Sequence, residues 1–275
     1  MFDPFKDFET AGYLRNIEGL KDLEEVKRQE HFFFESNLET ALDFLHSCRG
    51  ALEYEHFLEV HRILFGEFYP WAGNDRKMLD VGRIVGKGAD LQFEVSESCQ
   101  RAVQWGLDLG NDKSRIKARP GEVMGAFAWG HPFLDGNGRT MLLVHNELCH
   151  RAGFSINWMA SSKEDYLAAL TLELAKPIDQ HLDAYLGRLI NVVNPREDWV
   201  SKFKAIPGLD GLEFAQDNVA YQDDDPMANA RYEEIRRSRN TGTSRDDIEG
   251  MSGQDPGTVS NATNSALARI KKAKK

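Results

Sequence analysis

Apolar residues recur at helical spacing along most of this chain, and the pattern lapses in one internal stretch. In the segment 20–48, Leu38, Ala41, Leu42 and Leu45 share a face, and in 53–65 Phe57, Val60 and Leu64 do the same. Segments 95–109 and 120–129 continue the pattern, and 139–152 carries Met141, Val144, Leu148 and Ala152 without an internal Pro or Gly. Tyr166, Leu167, Leu170 and Leu174 mark a helix over 163–175. Leu182, Tyr185, Leu186, Leu189, Ile190 and Val193 predict a last helix, with Pro177 and Pro195 as its start and stop signals. Ser36-Asn37-Leu38-Glu39 has the spacing of a capping box, so 20–48 is expected as two helices meeting near Ser36. The lapse falls between Lys77 and Val95, where Gly and β-branched residues replace the helical pattern and a small hairpin is expected. The fold class that follows is all-α, a helical bundle with one small β-hairpin.

Composition adds organisation. With 275 residues and 41% hydrophobic content, the chain can bury one main core with appendages. Beyond about residue 208 apolar residues thin out, through acidic 222–226 and the Gly, Ser, Thr, Asn and Asp of 240–265, so this tail cannot supply a core. Three parts are expected: an N-terminal helical extension over 1–50, a core over 51–208, and a largely disordered tail over 209–275. The basic cluster at 268–275 reads as a solvated terminus or, alternatively, an export or docking signal. A net charge of −10 argues against a nucleic-acid partner. No apolar stretch approaches the ~18 residues of a membrane span, and no signal peptide is evident. Cys48, Cys99 and Cys149 lack metal-ligand spacing and suit a reducing cytoplasm.

The chemistry concentrates in His131-Pro132-Phe133-Leu134-Asp135-Gly136-Asn137-Gly138-Arg139, immediately before a predicted helix. Gly136 and Gly138 let the backbone turn tightly and approach an anion, and the helix that follows offers unpaired N–H groups and a positive dipole end. His131 is a base of suitable ordinary pKa for taking a proton from a hydroxyl. Asp135 is a hard oxygen ligand for Mg²⁺, or equally an acidic residue favoured at a helix start. Asn137 can donate its amide to a phosphate oxygen, and Arg139 offers a planar guanidinium to neutralise phosphate charge. Phe133 reads as a core anchor, and none of the other histidines, His61 and His145 included, has comparable company.

This stretch resembles the signature of the Fic family, and every position that the signature specifies is matched. Tyr69-Pro70-Trp71-Ala72-Gly73 with Arg76 is similar to the family's segment before its active-site flap, and the resemblance runs over roughly residues 10 to 195. It implies a Fic-type helical bundle whose hairpin is a flap docking the target segment strand to strand, with Lys87 and Phe93 near the entering substrate. It further implies His131 as base, Asp135 for Mg²⁺, and Gly136, Asn137, Gly138 and Arg139 on the phosphates of ATP. The activity implied is transfer of AMP to a Ser, Thr or Tyr hydroxyl of a protein. The implied setting is a bacterial cytoplasmic toxin-type enzyme with a separate antitoxin, or a secreted effector. In one place the chain departs from the pattern: Leu142 stands where the family has a second arginine. A scan for the family's inhibitory Ser/Thr-x-x-x-Glu-Gly/Asn element finds no copy. The departure leaves UMP, phosphate or phosphocholine transfer open, along with a non-enzymatic nucleotide-binding module.

Overall fold

The computed structural model describes residues 3–87, 91–209, 219–221 and 226–240, the side chains of 219–221 and 238–240 excepted. Its helices are α1 (Phe8–Ala11), α2 (Leu23–Ser47), α3 (Tyr54–Phe65), α4 (Cys99–Asn111), α5 (Lys113–Ala118), α6 (Pro120–Gly130), α7 (Asn137–Arg151), α8 (Lys163–Ala175), α9 (His181–Gly187), α10 (Trp199–Lys204) and α11 (Pro226–Asn240). The strands are β1 (Val85–Lys87), β2 (Leu91–Gln92), β3 (Ser155–Ile156), β4 (Ile190–Asn191) and β5 (Val219–Tyr221). Met1–Tyr232 form one compact unit; of the second, Glu233–Lys275, only the continuation of α11 is described, and the basic cluster at 268–275 lies outside the described residues.

α6 is the central helix. Every residue of it except Glu122 is buried, and α4, α7, α8 and α9 pack around it. Its first turn is capped across the fold, the Asp183 carboxylate of α9 accepting N–H bonds from Gly121 at 2.6 Å and Glu122 at 3.2 Å. The helix ends at His131, which sits in the left-handed region.

Two predicted helices turn out differently. α2 runs unbroken through Ser36, because its buried positions Val26, Glu30, Phe34, Leu38, Ala41, Leu42 and Leu45 form one stripe while Ser36 and Glu39 lie on the exposed side. Burial of that stripe outweighs the local capping signal. The helix expected over 182–193 stops at Gly187, and Ile190–Asn191 pair with Ser155–Ile156 instead. Only Leu182 and Leu186 of the stripe are fully buried; Val192 is 78% exposed, so nothing packs the far half as a helix, and its β-branched residues suit an extended chain.

The hairpin forms where expected, with Gly86 opposite Gln92 and Lys87 opposite Leu91. The other edge of β1 pairs antiparallel with β5, Val85 opposite Tyr221 and Lys87 opposite Val219, giving the order β2-β1-β5. Two elements therefore fall in the expected disordered tail, β5 and α11. Composition underrates α11 because it borrows its burial: Ala228 and Tyr232 are 1% and 3% exposed, the Tyr232 hydroxyl donates to Glu94, and Arg83 donates to Asn229 at 3.2 Å.

Candidate active site

The loop between α6 and α7 is shaped by hydrogen bonds internal to itself. Asn137 spends its side chain on the loop: its carbonyl oxygen accepts the Phe133 N–H at 2.9 Å, and its amide donates to the Phe133 carbonyl at 2.8 Å. One donor of the amide expected on a phosphate thereby closes the turn. Phe133 anchors the loop in the core, fully buried and stacked on His61 with ring centroids 3.7 Å apart.

His61 lies on α3 and supports the turn from below. Its Nδ1 accepts the Gly73 N–H at 3.0 Å, which leaves Nε2 as the protonated nitrogen donating to the Asp135 carbonyl at 3.0 Å. Burial holds its pKa down to about 3, so the ring is neutral. Gly136 has φ 76°, and a Cβ there would come within 2.6 Å of the Phe65 ring and 3.0 Å of His61 Nε2. Both the backbone and the space demand glycine. Gly138 differs: a Cβ there meets nothing within 4 Å, so its face of the helix start is open to an incoming group. No side chain caps α7, which leaves its first-turn N–H groups turned to that opening.

His131 closes α6 with φ 40° and ψ 56°, an uncommon conformation for a residue with a Cβ. Arg76 over-determines it. Fully buried, that guanidinium donates from Nε to the His131 carbonyl at 2.8 Å, from Nη1 to the Gly82 carbonyl at 2.5 Å and from Nη2 to the Glu94 carbonyl at 2.7 Å. The His131 ring stacks on Phe93, centroids 3.9 Å apart, and neither ring nitrogen has a hydrogen-bond partner among the described residues. Burial first, and then the positive charges of Arg76 and Lys87, push its pKa well below the ordinary imidazole value. The result is a neutral imidazole with one nitrogen available to take a proton. The structure thus gathers His131, Phe93 and Lys87 on the flap side.

Asp135, Gly136, Gly138 and Arg139 gather on the other side of the turn, joined there by residues from α2. Arg139 pairs with Glu30, which is 1% exposed, and its guanidinium lies over the Phe65 ring at 4.6 Å. The Tyr69 hydroxyl donates to the same Glu30 at 2.6 Å. Lys27 donates to Asp135 Oδ2 at 2.5 Å, while Asp135 Oδ1 accepts the Gly136 N–H at 2.7 Å. The carboxylate expected to hold Mg²⁺ therefore already faces an ammonium on one oxygen and its own loop on the other. In this arrangement the residues do not fit a divalent ion.

Sequence reading missed Lys27, Glu30 and His61. Glu30 sits in Val26-Lys27-Arg28-Gln29-Glu30-His31, where Val26 and His31 stand at the positions the inhibitory pattern assigns to Ser/Thr and Gly/Asn. A scan keyed on the glutamate alone, on the core-facing stripe of a helix before the motif, would have found it. Nothing in the sequence placed Lys27 beside Asp135.

Known proteins share this architecture. Residues 51–149 match the model of the Fic/DOC family. The chain is 30% identical over 171 residues to the protein adenylyltransferase VbhT of Bartonella schoenbuchensis, covering 61% of this chain and 35% of that protein. It is 28% identical over 167 residues to a probable protein adenylyltransferase, y4lH, of Sinorhizobium fredii, covering 57% of this chain and 81% of the relative. The chain thus spans about a third of the first relative's length. Among solved structures, the N-terminal Fic domain of a VirB-translocated Bep effector protein from Bartonella quintana, with bound ADP, superposes with a TM-score of 0.57 at 20% identity, over 69% of this chain and 96% of that one. Residues 51–149, which hold the His131 to Arg139 stretch, thus match the Fic/DOC family, and the helices that seat that stretch share the fold of the Bartonella domain.

Proposed function

We propose that this chain transfers AMP from ATP to a hydroxyl side chain of a target protein. The observation that carries the reading is His131: a neutral imidazole whose unprotonated nitrogen can accept a proton, next to an uncapped helix start whose Gly138 face is open. Two curated relatives are named as a protein adenylyltransferase and a probable one, which supports the same reaction here.

In this reaction the target oxygen attacks the α-phosphate in line with the bond to the β-phosphate bridging oxygen. The new P–O bond forms as the old one breaks, pyrophosphate leaves, and the hydroxyl proton passes to His131. The N–H groups of the first turn of α7 stabilise charge on the α-phosphate. Arg139 neutralises the leaving diphosphate once it is released from Glu30. Glu30 restrains that arginine within the chain, a task for which the sequence suggested a separate antitoxin. The flap side supplies the strand edge on which a target segment is presented, with Lys87 and Phe93 flanking the base. Lys27 holds the carboxylate that would otherwise bind Mg²⁺.

Leu142 favours a second reading, in which the same site transfers another group. It is 7% exposed within α7, so an apolar side chain occupies the family's second arginine position and donor choice loses a charged contact. One experiment tests both readings. Lysate proteins are incubated with the full chain and separate ATP, UTP, CTP and GTP, and their intact masses are compared with those from His131→Ala. A gain of AMP that disappears in the variant supports the first reading, and a gain of UMP or of phosphate alone supports the second. Modification that persists in His131→Ala sinks the mechanism.

A further inference from the structure

We propose that Lys27 is a phosphate-binding residue that takes the place of a divalent cation, so that this chain binds ATP without needing Mg²⁺. The inference rests on the proposed function, in that it takes nucleotide phosphates to seat at the start of α7.

The argument begins with the position of Lys27 on α2. Asp22 fixes the start of that helix by accepting the Glu25 N–H at 2.9 Å, and Lys27 and Glu30, three residues apart, share one face. That face delivers a cation and an anion to the same corner. Lys27 Nζ lies 2.5 Å from Asp135 Oδ2 and 3.6 Å from Glu30 Oε2. Glu30 in turn engages Arg139. Lys27, Arg139, Asp135 and Glu30 form a neutral quartet, its members between 1% and 22% exposed.

Mg²⁺ requires short oxygen bonds in near-octahedral geometry and gives up its waters reluctantly. It cannot take the oxygen to which an ammonium is already bound at hydrogen-bond distance. No group of three or more His, Cys, Asp or Glu among the described residues is arranged to hold a metal elsewhere. An ammonium, by contrast, is a compact point charge and a regular partner of phosphate, and its three donors let it keep the Asp135 carboxylate while it reaches a phosphate oxygen. The corner at which the diphosphate needs positive charge is already supplied by the protein. Asp135 then serves to aim Lys27.

ATP binding by the full chain is measured by titration calorimetry in EDTA and in millimolar Mg²⁺, for the wild type, Lys27→Arg, Lys27→Met and the double variant Lys27→Met with Asp135→Asn. The wild type and Lys27→Arg are expected to bind in EDTA with an affinity that Mg²⁺ changes less than about threefold. Lys27→Met is expected to bind roughly tenfold or more weakly in EDTA and to recover in Mg²⁺, because Asp135 is then free for the metal. The double variant is expected not to recover. Wild-type binding that tightens tenfold or more with Mg²⁺, or Lys27→Met binding unchanged in EDTA, overturns the inference and leaves the proposed function standing. Absence of ATP binding by the wild type in both conditions overturns the two together.

Discussion

Glu30 holds two hydroxyl or guanidinium donors from inside the core, and a single atom exchange there separates its two roles. In Glu30→Gln the shape is kept but the charge that holds Arg139 is lost. The expected outcome is a protein less stable by about 1–3 kcal/mol in urea unfolding, since a buried charged partner is left less well paired. Its initial rate of target modification should nevertheless rise several-fold, because Arg139 is released toward phosphate. A rate equal to or below that of the wild type would remove Glu30 from control of the site. At this scale the sequence was informative where chemistry and local spacing coincide: His131, Asp135, Gly136, Gly138 and Arg139 sit within nine residues at one turn and helix start. It was uninformative where chemistry depends on a partner far along the chain. Lys27 and Asp135 are 108 positions apart, and only the packing of α2 against α7 brings them together. Asn137 shows the converse limit. Its amide is suited to a phosphate, and its second task, holding the Phe133 backbone on both sides, shows only in the fold.

Among the elements, periodicity predicted the long buried helices well and failed where burial did not follow the pattern. Segment 163–175 appears as α8 with the predicted bounds, and the flap hairpin appears within the predicted stretch. The false break at Ser36 and the false helix beyond Gly187 both arise from local signals that the third dimension overrules. β5 was beyond reach, since three residues in a polar tail become a strand only because the edge of β1 is there to pair with. That pairing carries a prediction. If a target segment docks by adding a strand to β1, it must first displace Val219–Tyr221. A chain ending at residue 209 should therefore modify its target with a KM lowered several-fold. An unchanged KM in steady-state assays would show that the target uses another surface.

Across the whole molecule, buried neutral histidines set how stability responds to acid. Burial holds His61 at about 3 and His145 at about 4, and holds His131 well below its ordinary value. In the unfolded chain each returns to roughly 6.5, so between these limits the unfolded state binds more protons. Their contribution is complete above about pH 6.5 and is lost as pH falls, by up to ~1.4 kcal/mol per pH unit for each residue. Glu173, whose pKa burial raises, acts in the opposite sense, but it is one group against three. Urea midpoints should fall steadily from pH 7.5 to pH 5; a flat profile would contradict the buried neutral rings.

Arg76 joins three separate stretches of backbone through one side chain, at Gly82, Glu94 and His131. The flap edge and the base are thereby parts of one rigid piece rather than a mobile lid and a fixed centre. On the proposed function, a docked strand is read like a tape against a fixed mark. Which hydroxyl is modified is then decided by counting residues along the strand from its pairing with β1, more than by the identity of the side chains on either side.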